Sequence, residues 1–260
     1  MSKVLLTYEE LPEGLIANLQ LNNPERYNAL SAAVVSDLLA ACQELAVHPS
    51  VRAVILHGSG SKAFCSGADL KERIGMPDPQ VMAAVHRLRE AVGAVANLPM
   101  PVIAAVHGIA YGGGCELALA ADIRLMSADA TIGLTEVGWG IIPGAGGCAR
   151  LPHLVGTAMA KELIFTARKL SAKEAAEVGL VNRVVEPNQL MDCARSFATA
   201  IAKQAPLAVR AAKAALGASL DLGGPLAREW EAYQRIIPTA DRQEGLNAFQ
   251  EKRTPVYRGE

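Results

Sequence analysis

Residues 102–121 read VIAAVHGIAYGGGCELALAA, with a glycine triplet at Gly112-Gly113-Gly114 in the middle. The apolar run 102–106 is typical of a short buried strand, and residues 115–121 have a helical pattern. Glycines at a helix start leave backbone N–H groups uncovered beyond the helix N-terminus. The stretch therefore predicts either an anion or oxyanion site or a tight strand-to-helix packing that needs glycine.

The alternation of strand and helix patterns extends to both sides of this stretch. Short apolar or alternating runs predict further strands at 15–21, 51–56, 123–126 and 180–185. Apolar residues at helical spacing predict helices at 28–47, 79–98, 157–167 and 172–178. Such alternation predicts an α/β core with a parallel sheet.

The pattern changes beyond Pro187. Residues 188–203, 206–220 and 225–250 carry helical patterns, and no further strand candidate follows. We therefore predict a core over residues 1–190 and an all-helical region over residues 191–260. Because no long linker separates the two parts, we expect them to pack together.

Composition excludes several classes of protein. The chain of 260 residues is 51% hydrophobic and 20% charged, enough apolar content for a sizeable core. Its 25 basic and 26 acidic side chains give a net charge of -1, which provides no global attraction for nucleic acid or an anionic membrane. The most apolar segment, 91–110, contains Pro99, Pro101 and His107 and is not expected to span a bilayer. We therefore expect a soluble, unsecreted protein.

Metal and disulfide chemistry are not indicated by the spacing of the likely ligands. The five cysteines show no CxxC pair, and the five histidines show no HExxH or HxxxH pair. We expect reduced thiols and no metal site. Cys115, at a helix start without a positioned base, is interpreted as a small buried residue.

Two glutamates are candidates for acid–base chemistry. Glu116 lies in the first turn of the helix that follows the glycine triplet, where the positive helix end favours a carboxylate able to take a proton from water. The alternative is a dipole partner or a capping-box residue. Glu136 lies in an apolar, glycine-rich segment beside Val137, Trp139 and Ile141, which predicts a desolvated carboxyl with a raised pKa. The alternative is a surface loop glutamate.

Two further glycine-bearing turns are less specific. Residues 63–71 place Asp69 as a candidate helix N-cap, and the N–H of Ala68 is a candidate second oxyanion donor; an ordinary capped turn is the alternative. Residues 144–149 fit GxGxxA, but Pro143 precedes them mid-chain, which disfavours a dinucleotide site.

Six ordered segments carry a resemblance to a known family. They are Asn23-Pro24 with Asn28-Ala29-Leu30, residues 63–70 (AFCSGADL), residues 112–117 (GGGCEL), Asp122-Ile123-Arg124, Glu136, and residues 142–147 (IPGAGG) followed by Arg150-Leu151-Pro152. On these segments the chain resembles the enoyl-CoA hydratase/isomerase (crotonase) superfamily through nearly its whole length. The resemblance implies an α/β core of spiralling ββα units and a C-terminal helical region that forms trimers, often paired into hexamers.

The resemblance also implies roles for individual residues. It assigns the oxyanion hole for the thioester oxygen to the N–H groups of Ala68 and Gly113, and the catalytic carboxyls to Glu116 and Glu136. The implied substrate contacts are Ala68, Asp69, Leu70, Lys71, Gly112, Gly113, Trp139 and Lys252. Of these, Lys71 and Lys252 are the candidates for the coenzyme A phosphates. The acyl pocket is expected to involve residues 74–91 and the surroundings of Trp139.

The activity implied is hydration of a short-chain 2-enoyl-CoA to a 3-hydroxyacyl-CoA, a hydro-lyase reaction of fatty acid β-oxidation. Relatives limited to double-bond isomerisation or thioester hydrolysis generally lack one or both glutamates, whereas both are present here. Coenzyme A would enter as part of the substrate, and no metal or other cofactor is implied.

Two alternatives stay open at this point. Segments 68–73, 160–168 and 237–253 resemble the branch that contains methylglutaconyl-CoA hydratase of leucine degradation. A member of that branch is described as an RNA-binding protein, but the near-neutral charge and the short stripe of Lys203, Arg210 and Lys213 disfavour RNA binding. Spaced seven and three apart, these three residues are expected to form a solvated helix face. Because no transit-like segment is evident, a cytoplasmic protein is expected, with a mature mitochondrial matrix enzyme as the alternative.

Overall fold

The structure, a computed structural model, describes residues 2–73, 76–139, 141–217, 239–241, 244, 251, 253 and 255–260. The strands within these ranges are β1 (Val4–Leu11), β2 (Gly14–Leu21), β3 (Val51–Gly58), β4 (Ala63–Cys65), β5 (Val102–Val106), β6 (Ile109–Tyr111), β7 (Ile123–Ser127), β8 (Thr131–Gly133), β9 (Leu170–Ser171) and β10 (Arg183–Val185).

The helices in the same ranges are α1 (Ala32–Val47), α2 (Leu70–Arg73), α3 (Asp78–Ala96), α4 (Gly113–Ala120), α5 (Gly147–Val155), α6 (Thr157–Phe165), α7 (Ala172–Glu177), α8 (Leu190–Ala202) and α9 (Pro206–Gly217). Short 3-10 turns occur at Pro24–Arg26, Glu136–Trp139 and Pro187–Gln189.

Two sheets share the strands. The larger sheet has the order β1-β2-β3-β5-β7-β10, and the smaller one has the order β4-β6-β8-β9. All pairings are parallel except β1 with β2 and β8 with β9. Along the chain β3, β5 and β7 of the larger sheet are each followed by β4, β6 and β8 of the smaller sheet and then by helix. The predicted α/β core with its repeated ββα units is thus confirmed.

The central strands β3 and β5 of the larger sheet are mostly apolar and buried on both faces, as strands of a parallel sheet covered on both sides must be. One face joins the main core, where Leu19, Val54 and Leu56 are fully buried. The alternate residues, such as Ile16 and Ile55, face α8, whose Ala194 and Ala198 allow the helix to lie close to the strands. Successive side chains of a strand point to opposite faces of the sheet, and both faces are covered here. Residues 51–56 and 102–106 are therefore largely continuous apolar runs rather than alternating ones.

The structure corrects several predicted boundaries. Helix α1 begins at Ala32 rather than residue 28, because Tyr27 and Asn28 have positive φ angles and Ser31 caps the helix by accepting a hydrogen bond from the N–H of Val34. The buried Asn28 amide instead donates to the carbonyls of Ser59 and Ala63 and so ties the loop before α1 to the start of β4. Strand β10 covers only the last part of the predicted 180–185.

Several strands were missed by the sequence patterns. Strand β1 was not predicted. The smaller sheet was not predicted either, because its strands β4, β6, β8 and β9 have three residues or fewer and show no periodicity. In the C-terminal region α8 and α9 confirm the predicted helices, whereas most of the predicted helix 225–250 lies outside the described residues. The division at residue 190 stays a prediction. No helix in the described ranges has the length and apolar character needed to cross a bilayer.

Candidate active site

The glycine triplet joins β6 to α4 at the centre of the site. A Cβ on Gly114 would lie 2.1 Å from the carbonyl oxygen of Cys65, so glycine is needed there for the close approach of α4 to β4. Gly113 is the first residue of α4, and its N–H donates no hydrogen bond to a described residue. Both interpretations of the triplet therefore hold, tight packing at Gly114 and an uncommitted amide donor at Gly113.

The second free amide belongs to Ala68. Leu30 and Ala68 form an isolated parallel bridge in which the N–H of Leu30 donates to the carbonyl of Gly67 and the N–H of Asp69 donates to the carbonyl of Leu30. The N–H of the bridged residue itself points to the other side in such a bridge. Within the described residues it has no acceptor.

The two free amides lie beside each other. A Cβ built on Gly113 would be 3.4 Å from the nitrogen of Ala68 and 3.3 Å from Cδ1 of Leu30, so a side chain at residue 113 would fill the space between the two N–H groups. Two uncommitted backbone donors this close together are available to hold one oxyanion.

Glu116 is buried and held by backbone amides. Its Oε1 accepts hydrogen bonds from the N–H of Ala145 at 2.7 Å and of Gly147 at 2.8 Å, and within the described residues its Oε2 accepts none. The carboxyl does not bond to its own helix, so the capping-box alternative is wrong. Burial raises the pKa of Glu116, while the two N–H groups and Arg150 oppose the rise. We expected the positive helix end to favour the ionised carboxylate, whereas burial shifts the pKa of Glu116 in the opposite direction.

The glycine-rich segment 144–147 thus has a function that its sequence pattern did not reveal. It presents the two N–H groups that hold Glu116, and α5 begins within it at Gly147. Cys148, the next residue, is exposed. The only signal in the sequence was the glycine cluster itself, since the helix α5 that follows it carried no prediction.

Glu136 is the second buried carboxyl, at the start of the 3-10 turn. Neither carboxyl oxygen makes a hydrogen bond to a described residue. Burial, with a smaller contribution from the negative charge of Glu116, raises the pKa of Glu136 to about 7; the nearby amides of Glu136 and Thr135 oppose the rise without reaching hydrogen-bond geometry. The predicted raised pKa is confirmed, and the surface-loop alternative is wrong.

The cause of this burial differs from the prediction. Trp139 is 70% exposed and Ile141 is 52% exposed, so these side chains do not enclose Glu136. The carboxyl lies instead against the glycine triplet, where a Cβ on Gly112 would be 3.4 Å from Oε1. Glycine at residue 112 leaves room for the acid.

A cavity of about 340 Å³ lies on the side of Leu30 and Leu88 that is near Gly113, and Ala68, Gly113 and the two glutamates are not among its lining residues. Its wall includes Leu30 and Leu88, whose methyl groups lie 3.3 Å and 3.5 Å from the Cβ position of Gly113. The other lining residues are Ala32, Val35, Glu72, Met76, Gln80, Ala83, Ala84 and Arg87. Six residues of the expected segment 74–91 line this cavity and Trp139 does not; that this cavity is the acyl pocket stays a prediction.

The remaining predicted contacts have mixed outcomes. The buried Asp69 accepts a hydrogen bond from the N–H of Lys71, as an N-cap residue does, and pairs with Arg26 at 2.9 Å. Leu70 and Lys71 are exposed on α2. Lys252 lies outside the described residues.

The basic stripe predicted as a solvated face is mostly turned inward. Lys213 lies 2.8 Å from Oδ2 of Asp122 and donates to the carbonyl of Met100, and Arg210 donates to the carbonyl of Val51. Only Lys203 is exposed. The expectation of a solvated face is wrong for two of the three residues, because α9 packs these cations against the core.

Paired amide donors beside two buried carboxyls define a site for acid–base chemistry next to a developing oxyanion. Comparison with known proteins agrees with this class. A family model described as enoyl-CoA hydratase/isomerase matches residues 12–260, and the chain belongs to that family.

Relatives match nearly the whole chain. Methylglutaconyl-CoA hydratase, mitochondrial, of Homo sapiens is 45% identical over 258 residues, which cover 97% of this chain and 76% of that protein. Enoyl-CoA hydratase domain-containing protein 2, mitochondrial, of Homo sapiens is 44% identical over 254 residues, 95% of this chain and 87% of that protein. The crystal structure of an enoyl-CoA hydratase from Bacillus anthracis has a TM-score of 0.94 and 47% identity, covering 99% of this chain and 100% of that one.

Proposed function

We propose that the protein is a hydro-lyase that adds water across the 2,3 double bond of a short-chain 2-enoyl-CoA. The observation that carries the proposal is the contrast between the two carboxyls. Glu116 is held by two N–H groups, whereas Glu136 has no hydrogen bond to a described residue and a pKa raised to about 7. Two carboxyls in different environments are suited to act as base and acid at the same pH.

The oxyanion hole activates the substrate. The thioester oxygen accepts hydrogen bonds from the N–H groups of Ala68 and Gly113, so the negative charge that develops in the enolate meets donors already in place. Removing one donor of such a pair typically costs about 10²–10³ in rate. The polarised thioester makes C3 electrophilic.

Proton transfer completes the addition. The attacking water gives a proton to Glu116 as its oxygen bonds to C3, and the electrons of the double bond move to the thioester oxygen. Glu136 then gives its proton to C2 as the enolate collapses. Glu116 ends protonated and Glu136 ionised, so one proton returns through solvent before the next turnover.

The cavity beside the amides is the proposed acyl pocket. Its apolar wall, which includes Leu30, Ala84 and Leu88, suits a short alkyl chain. Arg87 also lines it, together with the acidic Glu72, and offers a cation for a second substrate to test, 3-methylglutaconyl-CoA, which carries an additional carboxylate. The name of the human relative points to the same compound.

The first experiment compares crotonyl-CoA with 3-methylglutaconyl-CoA by the loss of the enoyl-thioester absorbance. The variants are Glu116→Gln and Glu136→Gln, and the matched control is Arg195→Gln, which removes an exposed arginine paired with Glu9. Turnover that depends on both glutamates and not on Arg195 supports the proposal. Absence of turnover with both substrates would refute it.

The proposed mechanism needs no metal ion, because every step uses groups of the protein or water. Turnover is expected to survive dialysis against EDTA. A loss that zinc or magnesium restores would contradict the proposed mechanism.

A trimer or a hexamer is the proposed assembly. The resemblance to the family supports this assembly. Trp139 and Phe165, each at least 70% exposed, lie on the 3-10 turn and on α6, which contact each other, and an exposed apolar patch commonly marks an interface. Sedimentation velocity is expected to give a trimer or a hexamer, and a monomer at micromolar concentration would contradict this assembly.

A further inference from the structure

Arg150 holds the turn that holds Glu116. Its Nη1 donates to the carbonyl of Ala145 at 3.0 Å, and the N–H of the same Ala145 donates to Oε1 of Glu116 at 2.7 Å. The backbone N–H of Arg150 also donates to the carbonyl of Gly146 at 2.9 Å. The turn 145–147 is therefore bonded to Glu116 on one side and to Arg150 on the other.

The guanidinium packs closely against this turn. Gly146 has a φ of 109°, and a Cβ there would lie 2.0 Å from Nη1 of Arg150. The arginine thus occupies the space that a side chain at residue 146 would need. A turn of this shape forms only with glycine at residue 146, and it leaves room for the guanidinium.

Arg150 also acts on Glu116 through its charge. The titratable groups that influence or face Glu116 are Arg150 and Cys148 on α5, Glu136 on the 3-10 turn and Cys115 on α4. Arg150 is the cation in this set and lowers the pKa of Glu116, against the effect of burial. Burial lowers the pKa of Arg150, the charge of Glu116 opposes this shift, and the charge of Arg89 on α3 adds to it.

We propose that Arg150 is a positioning residue that keeps the turn 145–147 in the geometry in which Glu116 accepts a proton from the attacking water. This inference rests on the hydration reaction proposed above. Arg150 acts through Ala145 and Glu116, and it is distinct from the groups that touch the substrate. The sequence shows it only as the arginine that follows the glycine-rich segment.

The test compares Arg150→Gln with Arg150→Lys, using Arg195→Gln as the control. In Arg150→Gln we expect kcat to fall about 10-fold or more, with KM for crotonyl-CoA within about twofold, because Arg150 is not among the residues that line the proposed acyl pocket. The rate requires ionised Glu116, so losing the cation moves the acidic limb of the pH profile to higher pH. The alkaline limb, set by Glu136, stays in place.

Arg150→Lys keeps the charge and loses the planar fork. Its acidic limb is expected near that of the wild type, with kcat between the wild type and Arg150→Gln. An acidic limb that does not move in Arg150→Gln, with only a lower melting temperature, would show a merely structural role and overturn the inference.

A second measurement does not depend on turnover. With carboxyl-¹³C glutamate, the resonance of Glu116 is identified by its loss in Glu116→Gln, and its titration midpoint is followed by NMR. We expect a higher midpoint in Arg150→Gln than in the wild type, and an equal midpoint overturns the inference. Failure of the hydration proposal is recognised separately, as absence of turnover by the wild type.

Discussion

Replacing Glu136 with glutamine removes the proposed proton donor while keeping the shape of the side chain. The magnitude of the effect follows from the environment of this acid. With a pKa of about 7, half of the molecules carry the proton at pH 7, whereas an ordinary glutamate with a pKa of 4.5 would be protonated in about 0.3% of them. Burial therefore increases the fraction ready to donate by about 10². Loss of a positioned general acid typically costs about 10²–10⁴ in kcat.

The assay follows the loss of enoyl-thioester absorbance with crotonyl-CoA from pH 5 to pH 9. In the wild type, kcat/KM, whose pH dependence reports ionisations of the free enzyme, is expected to fall as the pH rises through about 7, because Glu136 must be protonated to donate. In Glu136→Gln we expect kcat lower by at least about 10² and no alkaline limb near pH 7. The control is Arg195→Gln, which is expected to keep the rate and the profile of the wild type.

Two results would refute this reasoning. One is a Glu136→Gln variant that keeps more than about a tenth of the wild-type kcat, since a positioned acid contributes far more than that. The other is an alkaline limb that persists near pH 7 in the variant, which would assign that ionisation to another group.

Three other predictions concern stability and specificity. Because the pKa of Glu136 is raised in the folded protein, its contribution to stability is present below pH 4.5 and is lost as the pH rises through about 7. In urea titrations, the free energy of unfolding of Glu136→Gln should therefore exceed that of the wild type by about 2 kcal/mol at pH 8, after allowance for solvent screening, and by little at pH 4. Gly114→Ala places a Cβ 2.1 Å from the carbonyl oxygen of Cys65 and should destabilise the fold by about 3 kcal/mol or more. Its control is Gly93→Ala in α3, where the new Cβ would have no neighbouring atom within 4 Å; this variant should be neutral or more stable by up to about 1 kcal/mol. Equal melting temperatures of the two variants would contradict this prediction. Ala84→Trp narrows the cavity and should lower kcat/KM for decenoyl-CoA at least 10-fold more than for crotonyl-CoA, and equal losses would place the acyl chain elsewhere.

Local patterns were enough to predict most of the larger sheet and its helices. Short apolar runs predicted strands β3 and β5, and apolar residues at helical spacing predicted helices α3, α6 and α7. A short window of sequence contains both signals. The residue types of the site were visible in the same way, since a glycine triplet before Glu116 and an apolar segment around Glu136 are local features. The strands of the smaller sheet were not predictable, because three residues carry no period.

The ionisation and burial of the two glutamates depend on contacts between segments that are distant in the sequence. Glu116 was expected to be ionised because of its helix, yet its charge depends on the balance between burial and the turn 145–147 with Arg150. Glu136 was expected to be buried by its own neighbours, yet it is buried by the glycine triplet.

The sequence by itself determined which residues are available and where the longer helices and most strands of the larger sheet lie, because those properties depend on neighbours along the chain. Only the tertiary structure determined that the N–H groups of Ala68 and Gly113 lie side by side, and that Lys213 faces Asp122 rather than solvent. The physical reason is that burial and hydrogen-bond partners, which set pKa values and leave donors free, are properties of packing between segments far apart in the chain.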